Sequence, residues 1–317
     1  MSTSPSASKH AIVPEALHRA RLDAAVRELF ELPWSKARDA VKTGKVFRGD
    51  PPVPVTDGAK PVRKGDALEF RQNAPRPHVA KRSGFERGAI VFLDGSVVVV
   101  DKPSGVSTVP FAGEEDPRET LDAWVREVLA KKTSGRGRAS LGVVHRIDKE
   151  TSGLLVFTRT LAAKQHLGSQ FRNHTTLRRY LAIVHGTISQ ARTFKTYLVE
   201  NRGDGLRGSA KSGHREGRIA ITHVEPIEPL EGATLVACTL ETGRTHQIRI
   251  HLAEVGHPLV GEKVYVRGWA GVKIDAPRLM LHATMLGFVH PVTGENVKFE
   301  APPPADFAAV LTRLART

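Results

Sequence analysis

His145-Arg146-Ile147-Asp148-Lys149-Glu150-Thr151-Ser152-Gly153-Leu154-Leu155 sets polar, hydrogen-bonding residues directly before the apolar run Leu154-Leu155-Val156-Phe157. An apolar run bounded by turn residues reads as a strand, so Asp148 sits on a loop at a strand mouth. Strands hold loop residues accurately, which a nucleophile or general base requires. Thr151, Ser152 and Gly153 can bend that loop and bond its backbone. An isolated Asp at such a place is more often a turn residue than a catalyst, so the surrounding pattern must decide.

Outward from this strand, apolar β-rich runs alternate with helical stretches and glycine turns from Ala89 onward, the pattern of an α+β domain. Ile90-Val91-Phe92-Leu93 and Val97-Val98-Val99-Val100 flank Asp94-Gly95 and read as a hairpin. Further strands are expected from Gly153 to Thr158, Arg179 to His185, Arg218 to Val224, Thr234 to Leu240 and Val297 to Glu300. Helices are expected from Thr120 to Lys131, Leu161 to Asn173 and Asp306 to Ala315. Thr245 to Val255 reads as a helix capped by Thr245, with Ile248, Leu252 and Val255 as its apolar stripe and Gly256 and Pro258 beyond its end. The alternation Ile248-Ile250-Leu252 also permits a strand. Either form can aim Arg249 away from the core. Thr133 to Ala139 reads as a mobile loop.

Residues 1–13, rich in Ser and Thr without apolar period, are expected to be a disordered tail. Leu22, Val26, Leu29 and Phe30 then recur at helical spacing up to Pro33. Ser35 can cap a second helix with Ala37, Ala40 and Val41, ending at Gly44. Strand-like Lys45-Val46-Phe47 and Ala67-Leu68-Glu69-Phe70 follow. Residues 14–72 thus form a small domain, residues 73–88 a basic linker with Pro75 and Pro77, and residues 89–317 a large domain.

Composition narrows the function classes. Of 317 residues, 40% are hydrophobic and 25% charged, ordinary globular values, but the formal net charge is +14. Such an excess of cations suits a polyanionic partner. No apolar run is long enough to span a membrane and no signal peptide is evident, so a cytoplasmic protein without membrane contact is expected. One cysteine, Cys238, excludes an internal disulfide and lies in an apolar run that reads as core. His246 and His251 fall about 140° apart around a helix and no His-Glu-x-x-His string occurs, so no metal is expected. Nucleotide-binding glycine motifs are absent as well, in keeping with a reaction that needs no cofactor.

The string His-Arg-Ile-Asp-x-x-Thr-Ser-Gly-Leu-Leu resembles the signature of the RluA-type family of RNA pseudouridine synthases. Other stretches resemble that family in its order: Asp101-Lys102-Pro103-Ser104-Gly105-Val106, Arg179-Tyr180-Leu181-Ala182, the run from Thr242 to Leu252, and Leu281-His282-Ala283. The resemblance covers Ala89 to about Pro304. It implies a mixed, mainly antiparallel sheet flanked by helices and loops, and conversion of uridine within RNA to pseudouridine. In that reaction the bond from base nitrogen to ribose breaks, the base turns, and it rejoins through carbon.

By the same resemblance Asp148 is the catalytic aspartate, acting as nucleophile toward sugar or base or as the base for a ribose proton. Arg249 is its charge partner, since a carboxylate beneath a flipped base loses water and needs a compensating cation. Tyr180 is the tyrosine that stacks on the base. Arg146 fills the gap left by the flipped nucleotide, whose unstacking costs a few kcal/mol. Lys102, Arg244 and His246 are candidates for phosphate or loop contacts.

The segment from Pro14 to Gln72 resembles an S4-like RNA-binding domain, with Arg21-Leu22-Asp23 and Gly44-Lys45-Val46 matching its start and turn. Arg38, Lys42 and Lys45 are its expected RNA-facing cations. Phe47-Arg48-Gly49-Asp50-Pro51-Pro52 departs from that domain's Asn-Gly turn. Ribosomal RNA of the large subunit is the favoured partner and transfer RNA the other; a monomer is the default. Two other classes compete. A non-catalytic RNA assembly protein need not keep Asp148, and an aspartate-nucleophile glycosidase would need a second carboxylate, for which Glu150 has only proximity.

Overall fold

The computed structural model describes residues 8–55, 58–74, 89–110, 120–132, 140–210 and 217–315. The chain divides into two compact units, Met1–Gly84 and Phe85–Thr317. Expectations for the first residues of the tail, for most of the basic linker and for the 133–139 loop lie outside the described residues.

In the first unit the strand β1 (Lys9–Ile12) leads to helices α1 (Leu22–Leu29) and α2 (Trp34–Lys42), then β2 (Val46–Arg48), β3 (Val53–Pro54) and β4 (Ala67–Phe70). The sheet order is β1-β4-β2-β3. Leu22, Ala25 and Val26 on α1 and Ala37, Ala40 and Val41 on α2 bury their helical stripes with Val46 and Leu68. Two expectations are corrected. The tail through Val13 is not wholly disordered, because Lys9 to Ile12 pair antiparallel with Phe70 to Ala67, ladder bonds that polar composition does not reveal. Ser35 does not cap α2: Pro33 occupies the N-cap, Trp34 starts the helix, and no side chain bonds its first turn.

In the second unit β5 (Ile90–Leu93) and β6 (Val97–Lys102) form the expected hairpin. Then follow α3 (Leu121–Lys132), β7 (Gly142–Val143), β8 (Ser152–Thr158), α4 (Leu161–Arg172), β9 (Leu177–His185), β10 (Arg192–Val199), β11 (Gly208–Ser209), β12 (Arg218–Leu230), β13 (Ala233–Leu240), α5 (Gln247–Glu254), β14 (Leu281–Val289), β15 (Asn296–Glu300) and α6 (Ala305–Leu314). The strands make one eleven-stranded mixed sheet, mainly antiparallel, with the central order β12-β13-β9-β14-β8-β6. This is the mixed, mainly antiparallel sheet flanked by helices that the resemblance implies.

Both faces of the sheet centre are covered, which explains the unbroken apolar runs. Val98, Val100, Leu155 and Phe157 meet Leu121, Val125 and Leu129 of α3 and Ile248 and Leu252 of α5. Val97, Val99, Leu154 and Val156 meet Leu167 and Phe171 of α4. Each such side chain contributes roughly 1.5–3 kcal/mol when fully buried, so this centre is a stiff platform for its loops. Cys238 is wholly buried within it.

The strand β12 runs on to Leu230, past the expected end at Val224. Pro226 and Pro229 suggest a stop, but β10 pairs only as far as Val224, so beyond it one edge of β12 needs no N–H donors from that strand.

One pairing places the site. The β8–β14 contact is parallel, with Ala283 opposite Gly153, and Ala283 also faces Tyr180, which faces Cys238. This row across four strands brings the loop before β8, the middle of β9 and the end of β13 to one region. Gly153 has φ +112°, and a Cβ there would lie 2.3 Å from the Ala283 carbonyl oxygen, so this close approach requires glycine.

Candidate active site

The loop carrying Asp148 is pinned on both sides. The Thr108 hydroxyl donates to the Ile147 carbonyl at 2.8 Å, and Gly105 N–H donates to the Lys149 carbonyl at 2.8 Å. Ser104 Oγ donates to the Glu150 carbonyl at 2.7 Å. His145 stacks on Phe171 at 4.3 Å, and its Nε2 accepts the Val156 N–H at 3.0 Å. Burial holds that imidazole neutral, pushing its pKa down to about 3, with Arg178 adding to the effect.

Of the two contacts expected of Lys102, phosphate or loop, the structure shows the loop contact. Its side chain is wholly buried and cannot meet a phosphate at the surface. Its Nζ donates to the carbonyls of Pro103 at 2.9 Å, Val106 at 2.7 Å and Lys149 at 3.0 Å, so this lysine is the post beneath the Asp148 loop. Burial lowers its pKa to about 7 against the pull of Asp148 and Glu150.

Asp148 stands in a cleft of about 540 Å³ that Arg146, Arg178, Tyr180, Arg244, His246 and Arg249 also line. Its Oδ2 lies 4.0 Å from Arg249 Nη1 and 4.0 Å from His246 Nε2. Those distances exceed a hydrogen bond, so charge orients the carboxylate while its oxygens remain uncommitted to these two partners.

Arg249 does not point away from the core. Its side chain is only 8% exposed, and Nε and Nη2 form a fork with Glu262 at 2.7 Å each. The Glu262 carboxylate also accepts the N–H groups of Lys263 at 3.0 Å and Val264 at 2.8 Å. Burial alone would raise the Glu262 pKa, but Arg249 and the N–H groups of Val264 and Tyr265 hold it below its usual value; Glu262 in turn keeps Arg249 charged despite burial. Two nitrogens of the guanidinium are thereby committed to Glu262, leaving Nη1 for Asp148.

The helix α5 begins one residue later than a Thr245 cap would require. His246 occupies the N-cap in the left-handed region, φ 58°, with no side-chain cap bond. Gln247 ties this bend down: its Oε1 accepts from Thr242 Oγ1 at 2.8 Å and Arg244 N–H at 3.0 Å, and its Nε2 donates to the Ile221 carbonyl at 2.9 Å. The bend turns His246 Nδ1 to the Tyr265 hydroxyl at 2.7 Å. Burial raises the Tyr265 pKa to about 12 and lowers that of His246. In the tautomer where the phenol donates to Nδ1, the imidazole proton sits on Nε2, which faces Asp148.

Tyr180 is 8% exposed, and burial pushes its pKa up to about 12, so it meets a ligand as a neutral phenol ring. Arg146 is exposed at the rim. Arg244 is tethered through Nε to the Ile219 carbonyl at 3.0 Å and borders a second groove of about 600 Å³ shared with Arg207 and Arg218. Arg38, Lys42 and Lys45 belong to the first unit. Arg38 and Lys42 are exposed, and Arg38 lies 5.1 Å from the Trp34 ring centroid.

Sequence reasoning missed Glu262, Gln247 and Arg178. Glu262 lies in an irregular stretch with no periodicity to mark it. Arg178 offered a signal: it precedes Tyr180 by two residues and so leaves the strand on the same face. Among the described residues no group of three or more His, Cys, Asp or Glu side chains is placed to hold a metal ion.

Comparisons with known proteins identify relatives of the chain. Residues 96–254 match the family model for RNA pseudouridylate synthase. The chain is 35% identical to a protein of Zymomonas mobilis subsp. mobilis named ribosomal large subunit pseudouridine synthase D, covering 93% of each chain. A protein of the same name from Xanthomonas campestris pv. campestris is 32% identical, over 98% of this chain and 93% of that one. Among solved structures, human RNA pseudouridylate synthase domain containing 4 superposes with a TM-score of 0.58 at 23% identity, covering 71% of this chain and 92% of the other.

Proposed function

The chain belongs to the RNA pseudouridylate synthase family and is an RNA pseudouridine synthase, and we propose that it modifies large-subunit ribosomal RNA with Asp148 as the reacting carboxylate. The observation that carries this reading is the Asp148 carboxylate, oriented by Arg249 and His246 at 4.0 Å in the cleft that Tyr180 lines. A uridine flipped from its stack lies on the Tyr180 ring, and Arg146 at the rim occupies the space it vacated. Asp148 then acts on the ribose, as nucleophile at C1′ or as base for a ribose proton. The Arg249–Glu262 fork keeps a cation beside the carboxylate after water is displaced.

The relatives' printed name and their coverage of both units support ribosomal RNA over transfer RNA. The first unit acts as an S4-like RNA-binding domain through Arg38, Lys42 and Lys45, and Arg207, Arg218 and Arg244 lead RNA along the second groove. The enzyme works as a monomer in the cytoplasm. No helix among the described residues is long and apolar enough to cross a membrane.

The test is a map of pseudouridine in large-subunit and transfer RNA from cells with the gene, without it, and complemented with Asp148→Asn. Loss at defined ribosomal positions that only the wild-type gene restores is the expected result. Loss confined to transfer RNA overturns the ribosomal reading.

A further inference from the structure

Among the described residues Arg178 is a buried cation with no carboxylate partner, its guanidinium lying 5.7 Å from the Phe171 ring centroid. It is 7% exposed, yet no carboxylate is among its ion-pair or hydrogen-bond partners in the described residues. Its Nη2 donates to the carbonyls of Glu241 at 2.5 Å and Leu240 at 3.5 Å, while Nε is wholly buried without an acceptor. Buried charges are costly and are ordinarily paired. Burial accordingly lowers its pKa, and Arg244 adds to the effect. A guanidinium so placed retains capacity for negative charge.

Its position says which charge. Arg178 and Tyr180 leave β9 on the same face and line the same cleft as Asp148. Gly243 makes room for it, since a Cβ there would lie 2.7 Å from Arg178 Nη1. A backbone phosphate follows the rim, where exposed Arg146 stands; the buried position beside Tyr180 belongs to the base.

We propose that Arg178 is a catalytic residue that donates a hydrogen bond to a carbonyl oxygen of the uracil as the base departs from the ribose. The inference rests on the pseudouridine synthase reading of this cleft. When the C1′–N1 bond breaks, its electron pair leaves with the base and spreads over N1, O2 and O4. The sugar carbon is meanwhile bonded to the Asp148 carboxylate, or left unsaturated after Asp148 takes a ribose proton. C5 then bonds to C1′, displacing the Asp148 carboxylate in the first case or, in the second, with Asp148 returning its proton to the ribose. The C5 proton is lost to solvent and N1 takes one up, so the base is isomerised without net change. Arg178 keeps its own protons throughout and favours the step because the charge develops opposite an otherwise uncompensated donor.

The test uses the full-length enzyme in single turnover on a large-subunit ribosomal transcript carrying either uridine or 5-fluorouridine, reading disappearance of the N-linked nucleoside. Fluorine stabilises the departing base anion, so the enzyme's donor matters less. Arg178→Gln should slow cleavage of the uridine transcript by about 10²- to 10³-fold, as removal of one donor to a developing oxyanion does. That defect should shrink by about tenfold or more on the fluorinated transcript, while RNA affinity stays near wild type. Equal defects on both transcripts, or weaker binding with an unchanged rate at saturation, would overturn the proposal.

Arg178→Lys, which keeps the charge and loses the fork, and Gly243→Ala, which displaces Nη1, should show smaller defects with the same narrowing. Either replaces Arg178→Gln if its melting curve shows unfolding. Wild-type enzyme that converts no uridine in this transcript speaks against the ribosomal substrate alone; the comparison is then made on the RNA identified by the cellular map.

Discussion

The two units handle charge in opposite ways. The catalytic unit takes charges out of water and fixes them: Lys102 beneath the Asp148 loop, Arg249 forked on Glu262, and Arg178 beside Tyr180. The N-terminal unit leaves Arg38 and Lys42 at the surface, with Arg38 3.8 Å from Asp23, itself held below its usual pKa chiefly by Arg21. Buried charge is costly and must be geometrically right; exposed charge is cheap and contributes mainly by number. On the proposed reading, the difference gives positioning to one unit and attraction of RNA to the other.

The largest effect should come from the reacting group. Asp148→Asn is expected to lower pseudouridine formation by about 10⁴-fold or more, as loss of a nucleophile does elsewhere, with RNA affinity retained. Tritium release from uridine-labelled RNA measures the first and filter binding the second; appreciable turnover in the variant would remove Asp148 from the chemistry.

Next, Glu262→Gln leaves Arg249 buried without its counter-charge and should cost about 3–5 kcal/mol in denaturant unfolding. The pH dependence has a definite sign. The folded carboxyl is held below its ordinary value of 4.5, so its stabilisation is present above that pH and is lost as pH falls through the depressed folded value. The wild type should therefore lose more stability on acidification than the variant, and parallel acid curves would contradict the ion pair.

Smaller again, Lys102→Met removes three loop hydrogen bonds and should reduce turnover by about 10²-fold through misplacement of Asp148, with little change in RNA affinity. The folded Lys102 pKa of about 7 lies below the ordinary 10.5. Between those values the unfolded chain binds more protons, so this lysine makes stability rise with pH, and the variant should lack that contribution. The mildest expected effect tests the other unit. Replacing Arg38, Lys42 and Lys45 together by Ala should lower the salt slope of RNA binding by about 2, at roughly 0.7 per phosphate on single strands, with single-turnover rate at saturation unchanged. A collapse of that rate would contradict the division of labour.

Much of this architecture is legible along the chain because its signals are local. The valine run of β6, the apolar stretch after Gly153 and the stripes of α1 and α2 each announce an element through neighbours a few residues away. Partners brought together from afar were not legible. The strand β1 exists through pairing with β4, β12 runs past its prolines because one edge is spared, and α5 starts on a left-handed histidine where Thr245 would have been the ordinary cap.

The sequence by itself determined the family and the kind of partner, and it singled out the residue proposed to react. The string around Asp148 is contiguous and specific, and net charge is a sum that needs no fold. Only the tertiary structure decided how the site is held: Lys102 as a buried post, Glu262 as the anchor of Arg249, and Arg178 with no carboxylate partner among the described residues. Those relations depend on burial and on distances between residues remote in sequence. Desolvation, which sets both their cost and their strength, exists only once the chain has folded around them.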